Sequence, residues 1–267
     1  MLNKKDIKVA ARSGSLKFAR HAQAAARGLP NDVYDWHGVP IHYRPGTSDT
    51  TVIYEALIKS GRKGEYSVPG NMDPQVILDI GGNIGVASIF FSRLFPAAKI
   101  HTFEPVPENL VLLRKNVETL KNVTVHPVAL GKEDASTQIF WSEEDANLGG
   151  FSLYGNNANV GKSVTIDVRR SSTYLAHQGI TAADMIKIDT EGAEFDILTS
   201  LDDAMLARVK WIVGELHGIA DFELLAHLSK TFDIDVKRSL GKKYFNFNAC
   251  NRSFVEEALR SGWQQRR

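Results

Sequence analysis

The sequence predicts an α/β domain built around a mostly parallel β-sheet. Three observations support this prediction. Apolar segments of strand length alternate with segments of helical periodicity from residue 76 onward, the first strand runs into a glycine-rich turn, and several strands end at acidic residues. Strands without polar alternation are typical of a parallel sheet that is covered on both faces. The 267 residues, of which 43% are hydrophobic, suit one large globular domain.

Seven strands are predicted, the first of them from the continuous apolar run VILDI. They lie at residues 76–80, 99–103, 123–128, 185–189, 211–216, 232–236 and 244–248. Helical spacing predicts helices at residues 86–95 and 107–120, after Gly192, and around residues 221–230. Pro96 ends the first of these helices, and Pro107 suits the first turn of the second.

The first 29 residues are basic, with seven Lys or Arg residues and a single acidic residue, Asp6. Alanines concentrated at residues 19–26 predict a helix. We interpret this segment as a solvated lead-in helix, with a basic docking surface for an acidic partner and a mitochondrial presequence as alternatives. We divide the chain into an N-terminal helical, substrate-side segment at residues 1–70 and the α/β domain at residues 71–267.

The composition excludes several classes of protein. Thirty-two Lys and Arg residues balance 31 Asp and Glu residues, so the charge of the whole chain gives no reason to expect a nucleic-acid partner. Cys250 is the single cysteine, which leaves no internal disulfide and no cysteine-rich zinc site. A reducing, cytoplasmic location is the expectation. No apolar run has the length of a membrane span.

The glycine turn (residues 81–85, GGNIG) and the acid that follows it form the first group of candidate site residues. Small residues let the backbone approach a ligand closely, and the start of the next helix offers free N–H groups. The last glycine comes one residue too early for the dinucleotide fingerprint. Asp79, near the end of the preceding strand, suits a cation or an amine. Glu104, at the tip of the next strand, can accept hydrogen bonds from both hydroxyls of a ribose, so we predict a nucleoside site.

A second group of candidate site residues follows two later strands. Asp189 and Glu191 come after the strand at 185–189, and Glu215 and His217 come at the end of the strand at 211–216. Because ligands of parallel sheets collect beyond the carboxyl ends of the strands, we expect these side chains to converge near the nucleoside. Such a group can orient a hydroxyl, accept its proton, or hold a divalent cation. Glu194 is the least certain member, since it can simply support the first turn of a helix.

Together these motifs resemble a known family. ILDIGGNIG and FEPVPEN, between residues 76 and 116, are similar to the S-adenosylmethionine-dependent methyltransferases of the FkbM type. IKIDTEGAEFDIL, at residues 186–198, resembles the most distinctive block of that type, and GELH, at residues 214–217, resembles its companion. The resemblance runs from about residue 40 to residue 217. It departs from the family at residues 169–175, RRSSTYL, where members usually carry a Leu-Asp-Asp-like run.

The resemblance implies a Rossmann-like class I methyltransferase sandwich, whose seven-stranded sheet has one antiparallel strand at residues 244–248. It also implies S-adenosylmethionine as the cofactor. The residues expected at the cofactor are Asp79, Gly81, Gly82, Asn83, Gly85, Glu104, Pro105, Asn109, Ala129 and Leu130. The residues expected at the acceptor are Thr47, Ser48, Asp49, Tyr66 and Glu215. The catalytic candidates are His217, Asp189 and Glu191. His217 is the first choice of base and Glu191 orients the acceptor, while Asp189 is either the alternative base or a partner of the cofactor's amino group.

We expect methyl transfer to a hydroxyl of a sugar, a glycoconjugate or a secondary metabolite, so the partner is a small-molecule or glycan acceptor. Two alternatives remain open: N-methylation of a small molecule or protein side chain, and a non-catalytic nucleoside-binding domain. Gly and Asn enrichment at residues 143–161 favours a lid over the site.

Overall fold

The computed structural model describes residues 4–23, 29–59, 66–141, 162–217, 220–237, 245–261 and 263–264. The segment interpreted above as a lid, residues 143–161, lies outside the described residues. The second half of the helix predicted at residues 19–26 lies outside them as well.

The described residues form ten α-helices, one short π-helical segment at Tyr54–Ile58, and fourteen strands. The helices are α1 Lys4–Ser13, α2 Leu16–His21, α3 Asp49–Ile53, α4 Val86–Leu94, α5 Pro107–Val117, α6 Ser171–His177, α7 Glu194–Thr199, α8 Asp203–Arg208, α9 Asp221–Leu228 and α10 Arg252–Ser261. The strands are β1 Asp32–Trp36, β2 Val39–Tyr43, β3 Val68–Pro69, β4 Val76–Ile80, β5 Lys99–Phe103, β6 Val123–His126, β7 Ala129–Gly131, β8 Ala135–Trp141, β9 Lys162–Arg170, β10 Met185–Ile188, β11 Trp211–Leu216, β12 Phe232–Lys237, β13 Phe245–Asn251 and β14 Trp263–Gln264.

The main sheet has seven strands in the order β12-β13-β11-β10-β4-β5-β6. β13 runs antiparallel to both of its neighbours, while β11, β10, β4, β5 and β6 pair in parallel. The predicted fold class is therefore confirmed, including the single antiparallel strand near residue 245. Each of the seven predicted strands is present, and β4, β5 and β11 have the predicted bounds.

The strand order places the candidate site in the middle of the main sheet. β4 lies between β5 and β10, and β10 lies next to β11. The carboxyl ends of these four parallel strands therefore meet at one edge, where the glycine turn, Glu104, Asp189 and Glu215 are found. Leu78, Ile80, Ile186 and other apolar side chains of these strands are buried, which fixes the strands that carry the site.

A second, three-stranded sheet in the order β7-β9-β8 lies beside the main one. The strand predicted at residues 123–128 ends at His126, because the chain then turns and Ala129–Gly131 pairs with β9 instead. Ile139, Ile166 and Val168 of this sheet pack together with Val106 in a small apolar cluster. The sequence analysis did not predict this sheet.

The N-terminal segment packs onto the α/β domain through a continuous core. Phe18, Tyr34 and Ile41 belong to the same buried cluster as Ile77 and Ile89. The boundary placed at residue 70 stays a prediction, because this cluster joins the residues on either side of it.

Polar contacts fix the β1–β2 hairpin as well. Asn116 of α5 accepts the backbone N–H of His42 at 2.7 Å and donates to the carbonyl of His42 at 2.9 Å. The same side chain donates to the carbonyl of Ile84, next to the end of the glycine turn, at 2.8 Å. The hairpin is therefore held directly against the elements that carry the turn.

Among the described residues, no helix combines the length and the apolar character that crossing a bilayer requires.

Candidate active site

The glycine turn has no room for side chains at its first two positions. Gly81 has a φ of 81°, and a β-carbon there would lie 1.9 Å from the carbonyl oxygen of Asp189. A β-carbon on Gly82 would lie 2.3 Å from Cγ2 of Thr102. The backbone N–H groups of both glycines donate to the carbonyl of Phe103, at 3.0 and 2.9 Å. The turn is thus held between the ends of β5 and β10, as a site for close backbone approach requires.

Glu104 is buried beside this turn. The residue is 4% exposed, and its Oε2 accepts the backbone N–H of Asn83 at 2.7 Å. Its Oε1 accepts the N–H of Val106 at 2.9 Å and the side-chain amide of Asn109 at 3.3 Å. Burial raises the pKa of Glu104 to about 7, although these hydrogen bonds and the charge of Lys187 oppose the shift. The carboxyl group therefore changes charge close to neutral pH.

Arg44, which was not among the predicted site residues, supports Glu104 indirectly. Nε of Arg44 donates to Oδ2 of Asp49 at 2.8 Å, and its Nη2 donates to Oδ1 at 2.8 Å. The same Nη2 donates to Oδ1 of Asn109 at 2.9 Å, and Asn109 in turn donates to Glu104. Asp49 is fully buried and both of its carboxylate oxygens accept from Arg44, so its predicted contact with the acceptor stays a prediction. Arg44 of the N-terminal segment is therefore linked through Asn109 to Glu104, the candidate ribose-binding acid.

Asp79 also faces the protein interior. It is fully buried, and its Oδ2 accepts from the hydroxyl of Ser88 at 2.6 Å. Its Oδ1 lies 3.4 Å from Nζ of Lys187, which is itself 3% exposed and accounts for a second buried charge. In this arrangement Asp79 is buried beside the base of the turn, and its predicted contact with the cofactor stays a prediction.

The second half of the site is the acidic cluster, which consists of Asp189, Glu191, Glu194, Glu215 and His217. Four carboxylates surround the one imidazole. Nε2 of His217 lies 3.2 Å from Oε2 of Glu215 and 3.7 Å from Oε2 of Glu191, and its Nδ1 lies 3.5 Å from Oε1 of Glu194 and 4.0 Å from Oδ1 of Asp189. The predicted convergence of these residues is found.

The four carboxylates differ in how far they are already engaged. Glu194 is 1% exposed and accepts the backbone N–H groups of Thr190 and Gly192, so it holds the loop together. Glu215 accepts from Asn246 at 2.8 Å through its Oε1 and faces His217 through its Oε2. The side chains of Asp189 and Glu191 are 30% and 28% exposed. These two are the carboxylates of the cluster that an acceptor can reach most easily.

The acids and the imidazole of the cluster differ in their charge at neutral pH because their pKa values are shifted by different amounts. Burial by itself would lower the pKa of His217, but contacts with Glu194 and Glu215 and the charges of Asp189 and Glu191 raise it to about 11. Burial, together with the charges of neighbouring carboxylates, raises the pKa of Asp189 to about 6 and that of Glu191 to about 7. At neutral pH His217 is therefore a cation, while the two accessible carboxyl groups titrate near pH 7.

The cluster also has a geometry that a metal ion could use. Asp189, Glu191 and His217 each offer one ligand atom, and these atoms lie within 4.8 Å of one another. Metal binding would require the coordinating nitrogen of His217 to lose its proton. The donor set is chemically suitable for a divalent cation, but the protonation of the imidazole opposes it.

Other predicted residues lie in varied settings. Tyr66 is buried against Phe90 and Phe91, so it belongs to the core around α4. The hydroxyl of Thr47 donates to the carbonyl of Arg44 at 2.8 Å and accepts the N–H of Asp49 at 3.2 Å, which shapes the turn that precedes α3.

Ser48 is the residue just before α3 and is partly buried. Pro105 and Ala129 are partly buried, and Leu130 is 2% exposed within the core. The predicted contacts of these residues with cofactor or acceptor stay predictions.

The strand order, the turn after β4 and the acid after β5 together define a Rossmann-like class I methyltransferase. Comparison with known proteins identifies the family. The Methyltransferase FkbM domain matches residues 79–244, and the chain belongs to this family of methyltransferases.

Three relatives illustrate the similarity. "Methyltransferase 1" of Beauveria bassiana is 32% identical over 197 residues, which cover 65% of this chain and 78% of that protein. The "31-O-demethyl-FK506 methyltransferase FkbM" of Streptomyces tacrolimicus is 25% identical over 59% of this chain and 70% of its own length. The "2-O-methyltransferase NoeI" of Sinorhizobium fredii is 26% identical over 61% of this chain and 78% of its own length.

Proposed function

We propose that the protein transfers a methyl group from S-adenosylmethionine to a hydroxyl group of a sugar, a glycoconjugate or a secondary metabolite. The observation that carries this proposal is the adjacency of two loops. The glycine turn next to Glu104 suits a nucleoside cofactor, and it touches the loop of Asp189, whose accessible carboxyl groups suit an acceptor hydroxyl. Two relatives that carry O-methyltransferase names support the choice of oxygen as the acceptor atom.

Unpaired polar atoms on both loops fit a bound cofactor. Oδ1 of Asn83, in the glycine turn, and Oγ1 of Thr190, in the loop of Asp189, are buried and have no hydrogen-bond partner among the described residues. Buried polar atoms are normally paired, so these two favour a ligand that completes them. Glu104 would hold the ribose hydroxyls, and the turn of Gly81, Gly82 and Asn83 would approach the amino-acid part. When bound, S-adenosylmethionine supplies a methyl group that its sulfonium has already activated.

The protein's own task at the acceptor side is to orient a hydroxyl and take its proton. We assign the proton to Glu191, with Asp189 as the second candidate, because both are accessible and titrate near neutral pH. His217 does not act as the base in this proposal. Its pKa of about 11 leaves it protonated at neutral pH, so it serves as the cation that holds the carboxylates together. Glu215 accepts from Asn246 and faces His217, so we assign to it the orientation of His217.

A second candidate is methyl transfer to an amine. The observation in its favour is the excess of negative charge in the acidic cluster, with four carboxylates around one imidazole, which suits a cationic acceptor. An amine acceptor still has to lose a proton, so the same carboxylates would take part. The nature of the methylated product distinguishes the two candidates.

The proposed function is tested in two stages on the full chain. The first is calorimetric titration with S-adenosylhomocysteine of the wild type and of Glu104→Gln, with Glu108→Gln as a matched control, since Glu108 is exposed on the first turn of α5. The second is a radiolabelled methyl-transfer assay over separate pools of glycans, hydroxylated metabolites and amines. We expect binding that Glu104→Gln abolishes and Glu108→Gln preserves, followed by transfer to a hydroxylated acceptor. Absence of binding would contradict the proposal, and binding without transfer in any pool would favour a non-catalytic domain.

A further inference from the structure

Lys187 is a buried cation in the centre of the main sheet. It lies in the middle of β10, and its register partner on β4 is Asp79. The residue is 3% exposed. Lysine is almost never buried to this extent unless its charge is compensated, so its partners indicate what it is for.

The ammonium group lies closer to the backbone of the glycine turn than to the carboxylate of Asp79. Nζ of Lys187 donates to the carbonyl oxygen of Gly81 at 2.6 Å, and the carbonyl of Ile80 lies at 3.4 Å. Oδ1 of Asp79 also lies at 3.4 Å. A counter-ion for Asp79 alone would not need the short contact with Gly81. This contact holds the residue whose φ of 81° begins the turn.

The position of Lys187 also connects the two halves of the site. Two residues further along the chain, Asp189 donates its backbone N–H to the carbonyl of Ile80 at 3.1 Å. Glu104 faces the same turn through the N–H of Asn83. The charge of Lys187 opposes the upward pKa shifts of both Glu104 and Asp189. A single buried ammonium thus acts on the candidate ribose-binding acid and on the acceptor-side acid.

We propose that Lys187 is a positioning residue for methyl transfer: its ammonium group holds the carbonyl groups of the glycine turn in the orientation that binds the cofactor, and so sets cofactor affinity. This inference rests on the proposed function, because it concerns the same cofactor site. It assigns to the lysine of the IKIDTEGAE segment a role toward the turn, which lies more than 100 positions earlier in the chain.

The test compares S-adenosylhomocysteine affinity in four proteins: wild type, Lys187→Met, the double variant Lys187→Met/Asp79→Asn, and Lys121→Met as a control at an exposed lysine. The double variant removes both buried charges, which restores much of the stability that the loss of one partner costs. We expect Lys187→Met and the double variant to bind about tenfold more weakly or worse, as the loss of a hydrogen bond from a charged group implies. The control should bind like the wild type. A double variant that binds like the wild type would show that Lys187 only neutralises Asp79 and would overturn the proposal.

The pH dependence of binding gives a readout that a purely structural role would not move. Ribose recognition by Glu104 needs the carboxylate, so wild-type affinity should rise with pH through about 7. Loss of the Lys187 charge should move this midpoint upward in Lys187→Met, in which Asp79 is retained. A midpoint at the wild-type pH, with affinity lowered equally at every pH, would contradict the proposal.

Two further results keep the outcomes distinct. If the wild type itself binds no S-adenosylhomocysteine, the proposed function fails, whereas wild-type binding with unaffected variants makes only the Lys187 proposal fail. If neither variant folds, lysine-selective NMR of the wild type replaces them. We then expect a lysine ammonium signal that is protected from water exchange and shifts when S-adenosylhomocysteine is added. Protected lysine signals that do not shift would overturn the proposal.

Discussion

Gly81 and Asp189 are in such close contact that a β-carbon on Gly81 would lie 1.9 Å from the carbonyl oxygen of Asp189. The two residues end neighbouring parallel strands, β4 and β10, and begin the two loops that we assign to cofactor and acceptor. The transfer of a methyl group requires donor and acceptor to be placed in line within a short distance. The contact between Gly81 and Asp189 gives the fold a direct way to fix that distance.

Gly81→Ala should therefore abolish binding of S-adenosylhomocysteine. The added methyl group both strains a positive φ, at about 1–2 kcal/mol, and overpacks a rigid contact, at about 1–3 kcal/mol more. The matched control is Gly179→Ala, since Gly179 has a φ of 72° and nothing within 4 Å of the added carbon. We expect the control to lose about 1–2 kcal/mol of stability and to keep its affinity. Equal affinities in calorimetric titrations of the two variants would contradict the assignment of the turn.

Arg44→Lys should weaken cofactor binding although Arg44 lies behind the site. Lysine keeps a positive charge near the buried Asp49, but it cannot reproduce the fork that contacts both Asp49 and Asn109. Asn109 would then hold Glu104 less firmly, and we expect the Kd for S-adenosylhomocysteine to rise about three- to tenfold. The free energy of unfolding should fall by about 1–3 kcal/mol in urea titrations. A lower free energy of unfolding with a wild-type Kd would refute a role of the Arg44–Asn109–Glu104 contacts in cofactor binding.

His217 should make stability decrease at alkaline pH. Its pKa is raised from 6.5 to about 11 in the folded protein, so its stabilising contribution is fully present below about pH 6.5. Between 6.5 and 11 only the folded state keeps the proton, and the free energy of unfolding should fall as the pH rises. His217→Gln should show a flatter profile between pH 6 and 9, whereas His177→Gln, at an exposed histidine, should follow the wild type. Parallel profiles for wild type and His217→Gln would show that His217 is not the cation of the cluster.

Glu191→Gln should remove the base without removing the cofactor site. With an acceptor that the transfer assay identifies, we expect kcat to fall by about 10²–10⁴-fold while the affinity for S-adenosylhomocysteine is unchanged. In the wild type, kcat should rise with pH through about 7, the pKa of Glu191. Glu223→Gln, an exposed position on α9, serves as the control. Full activity of Glu191→Gln would show that Glu191 is not the base. If Asp189→Asn is then inactive, Asp189 is the base instead.

Removal of divalent cations should leave methyl transfer intact. Both nitrogens of His217 face carboxylates, and its raised pKa favours a proton over a metal ion at neutral pH. We expect the same rate with EDTA as without it. A loss of activity that added magnesium or manganese restores would instead show that Asp189, Glu191 and His217 hold a catalytic cation.

The sequence was sufficient to predict the main sheet because its central strands β4, β10 and β11 are largely apolar, and because its edge strands β12 and β13 alternate apolar and polar residues at the period of a strand. The convergence of Asp189, Glu191, Glu215 and His217 followed from strand order, since carboxyl ends of parallel strands share one edge. The second sheet was missed although Val164, Ile166 and Val168 alternate with polar residues at the period of a strand. Attention to that alternation could have identified β9.

The roles of individual side chains were harder to predict, because they depend on contacts between distant parts of the chain. Asp49 was expected at the acceptor from the family resemblance, and its burial against Arg44, which reaches Asn109, 65 residues further on, could not be predicted from the sequence. Lys187 lies between two isoleucines and has the pattern of an ordinary strand residue. Nothing in its neighbourhood along the chain shows that its ammonium group contacts Gly81.

The central claim is that Glu104 binds the ribose of the cofactor at the glycine turn, and a crystal structure with S-adenosylhomocysteine tests it most directly. We predict both ribose hydroxyls within hydrogen-bond distance of the Glu104 carboxylate, with the amino-acid part against residues 81–85. A ribose bound elsewhere, or crystals that take up none of the thioether at millimolar concentration, would contradict the account.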